Sequence, residues 1–397
     1  MTLVLACNAQ PTASPTVPAV ASAAPTATPV ASPAPPSATT SPTAEGTSWR
    51  RVFTVENGSL GNIVAGPWGL VAAGCIADGN GDCARRIVVV SRNSDDWQEL
   101  EVDGPPDLSF GSLRRVGDRL FSLGYGYYAP AGGAVIRTST DGRSWTPVGS
   151  TSFQSRAVDD IIDSPAGTLA MGYEAPIDSD NTSGFVVWPV RADGTFGTAR
   201  VVKLPSGPAL VSRGTWAGTE FLAWGVRDGP SGVGPTTVLA SPDGKAWTLR
   251  GQVSAPEGAN VGQILLVGDV LVAVGSAGRT FPISARAWTS TDRGKSWRPA
   301  TVPSDNAAMN AVAFEGSVLI ARGTGFSESG DERHSVSWRS TDGTDWTRLA
   351  DGEDLPSVSG FSALVTATLG DQTCVAGTVL GDPSSSGAIY CRPTATE

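Results

Sequence analysis

Tryptophan returns about every 50 residues along the 397-residue chain, each time closing the same short motif. The motif reads TSTDGRSW at 138–145, ASPDGKAW at 240–247, TSTDRGKSW at 289–297 and RSTDGTDW at 339–346. Weaker copies stand at 43–49 (TAEGTSW), 91–97 (SRNSDDW) and 191–196 (RADGTF). From Trp49 through Trp97, Trp145, Phe196, Trp247 and Trp297 to Trp346 the steps are 48, 48, 51, 51, 50 and 49 residues. Seven near-equal units of this length are the mark of a radial repeat, and they constrain the fold more than any other feature.

Each unit carries two short β-rich runs around a tight turn, the second run ending in glycine, as in ILLVGDVLVAVG (264–275) and AVAFEGSVLIARG (311–323). That is a hairpin pattern. A third run enters the Asp motif and a fourth leaves it, with no helical period between them. Four antiparallel strands per unit make a propeller blade, so the expected fold is all-β, a seven-bladed β-propeller over residues 43–393. The segment 43–53 looks like the last strand of a blade with nothing ahead of it, and 362–393 like a blade lacking its fourth strand. The N-terminal strand is therefore expected to join the last blade and close the ring, leaving no open edge.

Within the motif, Asp141, Asp243, Asp292 and Asp342 sit where a carboxylate accepts hydrogen bonds from its own turn. Trp145, Trp247, Trp297 and Trp346 are expected to pack between neighbouring sheets. A repeated turn stabiliser needs no reaction to explain it, so these residues are expected to be structural. The pattern resembles the Asp-box, or bacterial neuraminidase repeat, Ser-x-Asp-x-Gly-x-x-Trp, which Ser290, Asp292, Gly294 and Trp297 match in full. The other strong copies lack the residue between Asp and Gly. Sialidases and photosystem II assembly-factor propellers are built from such repeats. The resemblance implies blade architecture, with the motif turns on one face and the loops joining second and third strands on the other; it does not imply an activity.

The chain opens MTLVLAC, and Val4-Leu5-Ala6-Cys7 resembles a bacterial lipobox. Residues 1–7 are therefore expected to be the remnant of a signal peptide, with Cys7 lipidated. Residues 8–42 are nearly all Pro, Thr, Ala, Ser and Val without charge, a composition that builds no core and serves as an extended tether. Residues 394–397 are a short tail. Of the five cysteines, Cys75 and Cys83 flank one loop of blade 1, and Cys374 and Cys391 flank the matching turn of blade 7. Two local disulfides with Cys7 left over point to an oxidising compartment, in the bacterial cell envelope or outside it.

A net charge of −10 opposes nucleic-acid binding, which needs a basic face. No run of about 20 apolar residues is present, so membrane contact is expected only through the lipid anchor. The single histidine, His334, lies in a polar loop without a nucleophile motif nearby. No metal-ligand spacing occurs: Asp78, Asn80 and Asp82 open like a calcium loop, but Cys83 and Val89 replace the glycine and glutamate such a loop requires. No cofactor is expected. The sialidase Phe/Tyr-Arg-Ile-Pro motif is missing, and Tyr173-Glu174, neighbours on a strand, are expected to point to opposite faces. Arg115, Arg156 and Arg213 are placed toward a ring mouth without a signal that they converge.

The long loops between second and third strands supply the candidate ligand-binding residues. They are Tyr125, Tyr127 and Tyr128, exposed aromatics in a glycine-rich setting suited to sugar or protein contact, with Tyr173, Glu174, Arg227, Asp228, Arg279, Glu328 and Arg333. The expected function is a monomeric, non-catalytic binding or scaffold module that meets protein or glycan through the face opposite the Asp turns. Two alternatives stand beside it: a glycoside hydrolase using carboxylates at the mouth, among them Glu174, Asp228 or Glu328, and an assembly factor for a membrane complex.

Overall fold

The computed structural model describes residues 48–78, 83–102, 112–126, 133–149, 151–174, 184–203, 210–229, 232–278, 282–303, 306–330, 332–363, 365–380 and 385–394. The expected signal remnant, tether and Cys7 lie outside the described residues. Glu45–Glu397 form one compact unit.

Seven antiparallel sheets make up that unit. Blade 1 shows the pattern, with strands Gly58–Gly66, Gly69–Ala77, Cys83–Ser91 and Gln98–Glu101 paired in sequence order. Blades 2 to 6 repeat it over 112–147, 156–202, 210–253, 259–299 and 307–348. Blade 7 takes its outer strand from the other end of the chain. Arg50–Val55 pairs antiparallel with Ser386–Pro393, setting Arg50 opposite Cys391 and Val55 opposite Gly387. The first strands of successive blades pack on one another from blade 7 through blade 1 to blade 6, so they line the centre of the ring.

The Asp motifs are self-contained turns. Asp292 accepts from the Ser296 backbone N–H (2.9 Å) and the Ser290 hydroxyl (2.8 Å), while the Trp297 indole N–H donates to the Gly294 carbonyl (3.1 Å). Asp141, Asp243 and Asp342 each accept two backbone N–H groups in the same way. Burial opposes ionisation of Asp141, but bonds from the Ser144 and Arg143 N–H groups and from the Ser144 and Ser139 hydroxyls outweigh it and bring the carboxyl to about 2. Each tryptophan then wedges between its own blade and the one before. Trp297 of blade 5 packs against a core cluster that includes Leu222 and Trp224 of blade 4, and Trp346 of blade 6 shares a cluster with Val272 and Val274 of blade 5. Trp247 meets Phe185 of blade 3 edge-on, centroids 5.0 Å apart.

The inner strands share a second repeated feature. A β-bulge interrupts the pairing of first and second strands between Leu60 and Ile63, Val158 and Asp160, Val211 and Arg213, Val261 and Gln263, and Met309 and Ala311. The residue before each bulge lies opposite the glycine that ends the second apolar run: Gly74, Gly172, Gly225, Gly275 or Gly323. A Cβ at Gly172 or Gly323 would overlap the carbonyl oxygen of Ala157 or Ala308, respectively. The recurrent glycine is thus a steric consequence of the bulge.

Both cysteine pairs are disulfides, Cys75–Cys83 and Cys374–Cys391. Bonded thiols belong to an oxidising environment. Among the described residues no helix is long and apolar enough to cross a membrane.

Candidate functional site

A cavity of about 1220 Å³ occupies the centre of the ring. Its lining includes Cys75 and Cys83, Thr378 and Leu380, and Arg333, which mark the ends of second strands and the starts of third strands. The cavity therefore opens on the face carrying the loops between second and third strands, away from the Asp turns, which join third strands to fourth.

The bulges decide what this cavity displays. In regular pleat, neighbouring residues face opposite sides; an inserted residue breaks the alternation. Adjacent pairs accordingly reach the lining together: Gly61 with Asn62, Asp159 with Asp160, and Gly262 with Gln263. The second member of each pair ties its blade to the next. The Asn62 amide donates to the Leu113 carbonyl (2.8 Å) and accepts from the Leu113 N–H (2.9 Å). Gln263 accepts from the Val312 N–H (2.9 Å). Asp160 accepts from the Gly214 N–H (3.3 Å), from the Ile161 N–H (3.0 Å) and from Arg114 Nε (2.7 Å).

Charge concentrates at blades 2 to 4. Arg114 and Asp160 neutralise one another. Arg213 gives one N–H to the Gly262 carbonyl (2.6 Å) and stays accessible from the channel. Asp159 is half-buried, and no described residue donates a hydrogen bond to it. Burial, then the charge of Asp160, push its carboxyl up to about 6 against the opposing pull of Arg213 and Arg114. Burial likewise lowers the Arg213 guanidinium from its ordinary value, though it remains a cation. With Arg333 at the mouth, three arginines face two aspartates among the described residues of the lining.

Of the residues singled out from sequence, Arg333 lines the cavity, its guanidinium 5.9 Å from the Phe326 ring centroid. Tyr173 and Glu174 end the second strand of blade 3 outside the lining, and Glu174 bridges Arg156 at 3.0 Å. Tyr125 is half-buried in the second strand of blade 2, and Glu328 is exposed on a turn. Tyr127, Tyr128 and Arg279 lie outside the described residues, as do the side chains of Arg227 and Asp228, whose backbone belongs to the strand Phe221–Gly229. Arg213 reaches the channel, but Arg115 turns to the Gly117 and Ala65 carbonyls instead. The strongest chemistry, Asp159 and Asp160 with Arg114, was absent from the sequence candidates. Superposing the units would have found it, because Asp159-Asp160 stand where other blades carry Gly61-Asn62 and Gly262-Gln263. Among the described residues no group of three His, Cys, Asp or Glu side chains is placed to hold a metal ion.

Solved structures with the same fold include an ulvan lyase of a polysaccharide lyase family bound to a GlcA(1-4)Rha3S chain, with a TM-score of 0.57, 11% identity, and 87% of this chain and 96% of that one covered. The propeller domain of the trilobed protease of Pyrococcus furiosus gives a TM-score of 0.52 at 9% identity, covering 87% and 97%. A Trypanosoma rangeli sialidase matches with a TM-score of 0.44 at 13% identity; 76% of this chain aligns with 56% of that one. At these identities the likeness is one of fold. No family model matches the sequence, and no curated protein sequence does either.

Proposed function

We propose that the chain is an extracytoplasmic, non-catalytic binding module whose ligand, a glycan or a protein, enters the central channel from the face opposite the Asp turns. The observation that carries this reading is the cavity of about 1220 Å³, somewhat larger than a drug-sized ligand needs and open on that face. Its wall mixes carboxylate, guanidinium and neutral polar groups from several blades, which suits a ligand with many hydrogen-bonding groups. The two disulfides support an oxidising location. The lipid anchor at Cys7 and the tether remain part of the proposal.

Asp159 favours one rival. A carboxyl titrating near 6 in a cavity is placed to give or take a proton, as hydrolases and lyases require. The full chain should be screened on glycan and envelope-protein arrays and against polysaccharide substrates. The binding reading expects retention on an array, weakened by Arg213→Gln, and no turnover. Turnover abolished by Asp159→Asn would replace it with the enzymatic reading.

A further inference from the structure

Arg213 and Asp159 stand on neighbouring inner strands, and each is left incompletely used by the protein. Arg213 spends one N–H on the Gly262 carbonyl and keeps the rest of its donor fork for the channel. Asp159 is the inserted residue of its bulge and points into the same space. The groups that act on it are Asp160 on its own strand, Arg114 from blade 2 and Arg213 from blade 4. Asp160 already accepts from Arg114, Ile161 and Gly214; its charge also steadies the Arg213 guanidinium, but the hydrogen bond Arg213 makes goes to the Gly262 carbonyl.

Resting on the binding reading above, we propose that Arg213 and Asp159 form a subsite for an acidic sugar: Arg213 pairs with the sugar carboxylate, and Asp159, protonated, donates a hydrogen bond to one of its oxygens. An ionised Asp159 would repel that carboxylate, so well above pH 6 each binding event draws about one proton from solvent, and below it fewer. With Asp159 protonated and Asp160 paired with Arg114, Arg213 is the charge beside this subsite among the described residues, and it selects an anion. Around it, Ser59 and the donors and lone pairs that Asn62, Gln263 and Asn310 keep beyond their bonds within the protein match the remaining sugar hydroxyls, which an apolar peptide side chain would leave unsatisfied. Because Asp159 is half-protonated at about 6, occupancy follows acidification through that point.

The test is calorimetric titration of the full chain with a glucuronate-bearing disaccharide at pH 7.5 and 5.5, in buffers of different ionisation heat. An uncharged glucose disaccharide and acetate serve as comparators. The expected result is an affinity for the uronate about twenty-fold higher at pH 5.5, with roughly one proton taken up at pH 7.5. The neutral sugar should show no such dependence, and acetate should bind more weakly than the uronate. Asp159→Asn, whose amide donates at any pH, should bind at pH 7.5 as the wild type does at 5.5. Arg213→Gln should lose at least about ten-fold at both pH values. Uronate binding that ignores pH, or Asp159→Asn that keeps the wild-type dependence, overturns the subsite. Neutral sugar bound as tightly as uronate overturns it while leaving the binding module standing, as does acetate bound as tightly. If no saccharide binds at either pH, while near-ultraviolet circular dichroism shows both variants folded, the subsite and the glycan arm of the function fall together.

Discussion

Arg50 lies directly opposite Cys391, so the strand that closes the ring runs beside a residue already bonded to Cys374. Closure and cross-link share one sheet. The disulfide spans 17 residues and on chain-entropy grounds contributes about 3 kcal/mol. Replacing Cys374 and Cys391 together by alanine should lower unfolding stability by about that amount. Chemical unfolding of oxidised wild type and the double variant checks it. A change below about 0.5 kcal/mol would show that the closing strand holds without the cross-link.

The Asp turns and their tryptophans should separate into a small and a large effect. Trp297→Ala removes a wedge between blades 4 and 5 and should cost about 3–5 kcal/mol. Asp141→Ala should cost less than about 1 kcal/mol at pH 7, since the carboxylate is exposed and screened. That share is present above pH 4 and is lost as pH falls toward about 2, because folding holds the carboxyl below its ordinary value of 3.8. Urea midpoints at pH 7 and pH 2.5 measure both.

Asp159 runs the other way. Its carboxyl is raised from 3.8 to about 6 on folding, so between those values the folded chain keeps a proton that the unfolded chain has released. Stability should fall as pH rises through this window, by at most about 1–3 kcal/mol. Asp159→Asn removes the dependence and should therefore stabilise the protein at pH 7.5 but not at pH 4. Equal gains at both pH values would locate the effect elsewhere.

Gly323→Ala should destabilise by about 1–3 kcal/mol, because the new Cβ meets the Ala308 carbonyl oxygen opposite the bulge. Gly149→Ala, where a Cβ meets nothing within 4 Å, should stay within about 0.5 kcal/mol. Thermal unfolding of the two variants is the comparison; similar losses would mean that the glycine answers to backbone freedom and not to close approach.

The blades were readable from sequence because their determinants are local. Each Asp turn is built from residues within a few positions of Asp141, Asp243, Asp292 or Asp342, and Trp297 or Trp346 marks the strand that follows. The pairing of 50–55 with 386–393 followed from a missing fourth strand, and the two disulfides from cysteines flanking turns. The channel chemistry was hidden for one physical reason. Alternation along a strand places neighbours on opposite faces, an inference applied to Tyr173 and Glu174, and the same rule would separate Asp159 from Asp160. The bulge between Val158 and Asp160 suspends it. The trace the bulge leaves in the sequence is the recurrent glycine of the partner strand, visible at Gly172 and Gly323, whose meaning emerges only once the carbonyl it faces is located.

The bulged inner strand has an evolutionary consequence. In the five blades that carry it, it holds the extra residue out of the ladder, so the lumen can be refitted one substitution at a time while the pleat beneath stays in register. The slot is filled by Gly61 in blade 1, Asp159 in blade 3 and Asn310 in blade 6. These vacancies are not equivalent: a Cβ on Gly262 would crowd the Asn310 carbonyl at 2.6 Å, whereas one on Gly61 meets only the Ala73 carbonyl at 3.6 Å. Blade 1 is thus the position from which a descendant of this chain can acquire a new lumenal side chain, and with it a changed appetite for ligand, without rebuilding its scaffold.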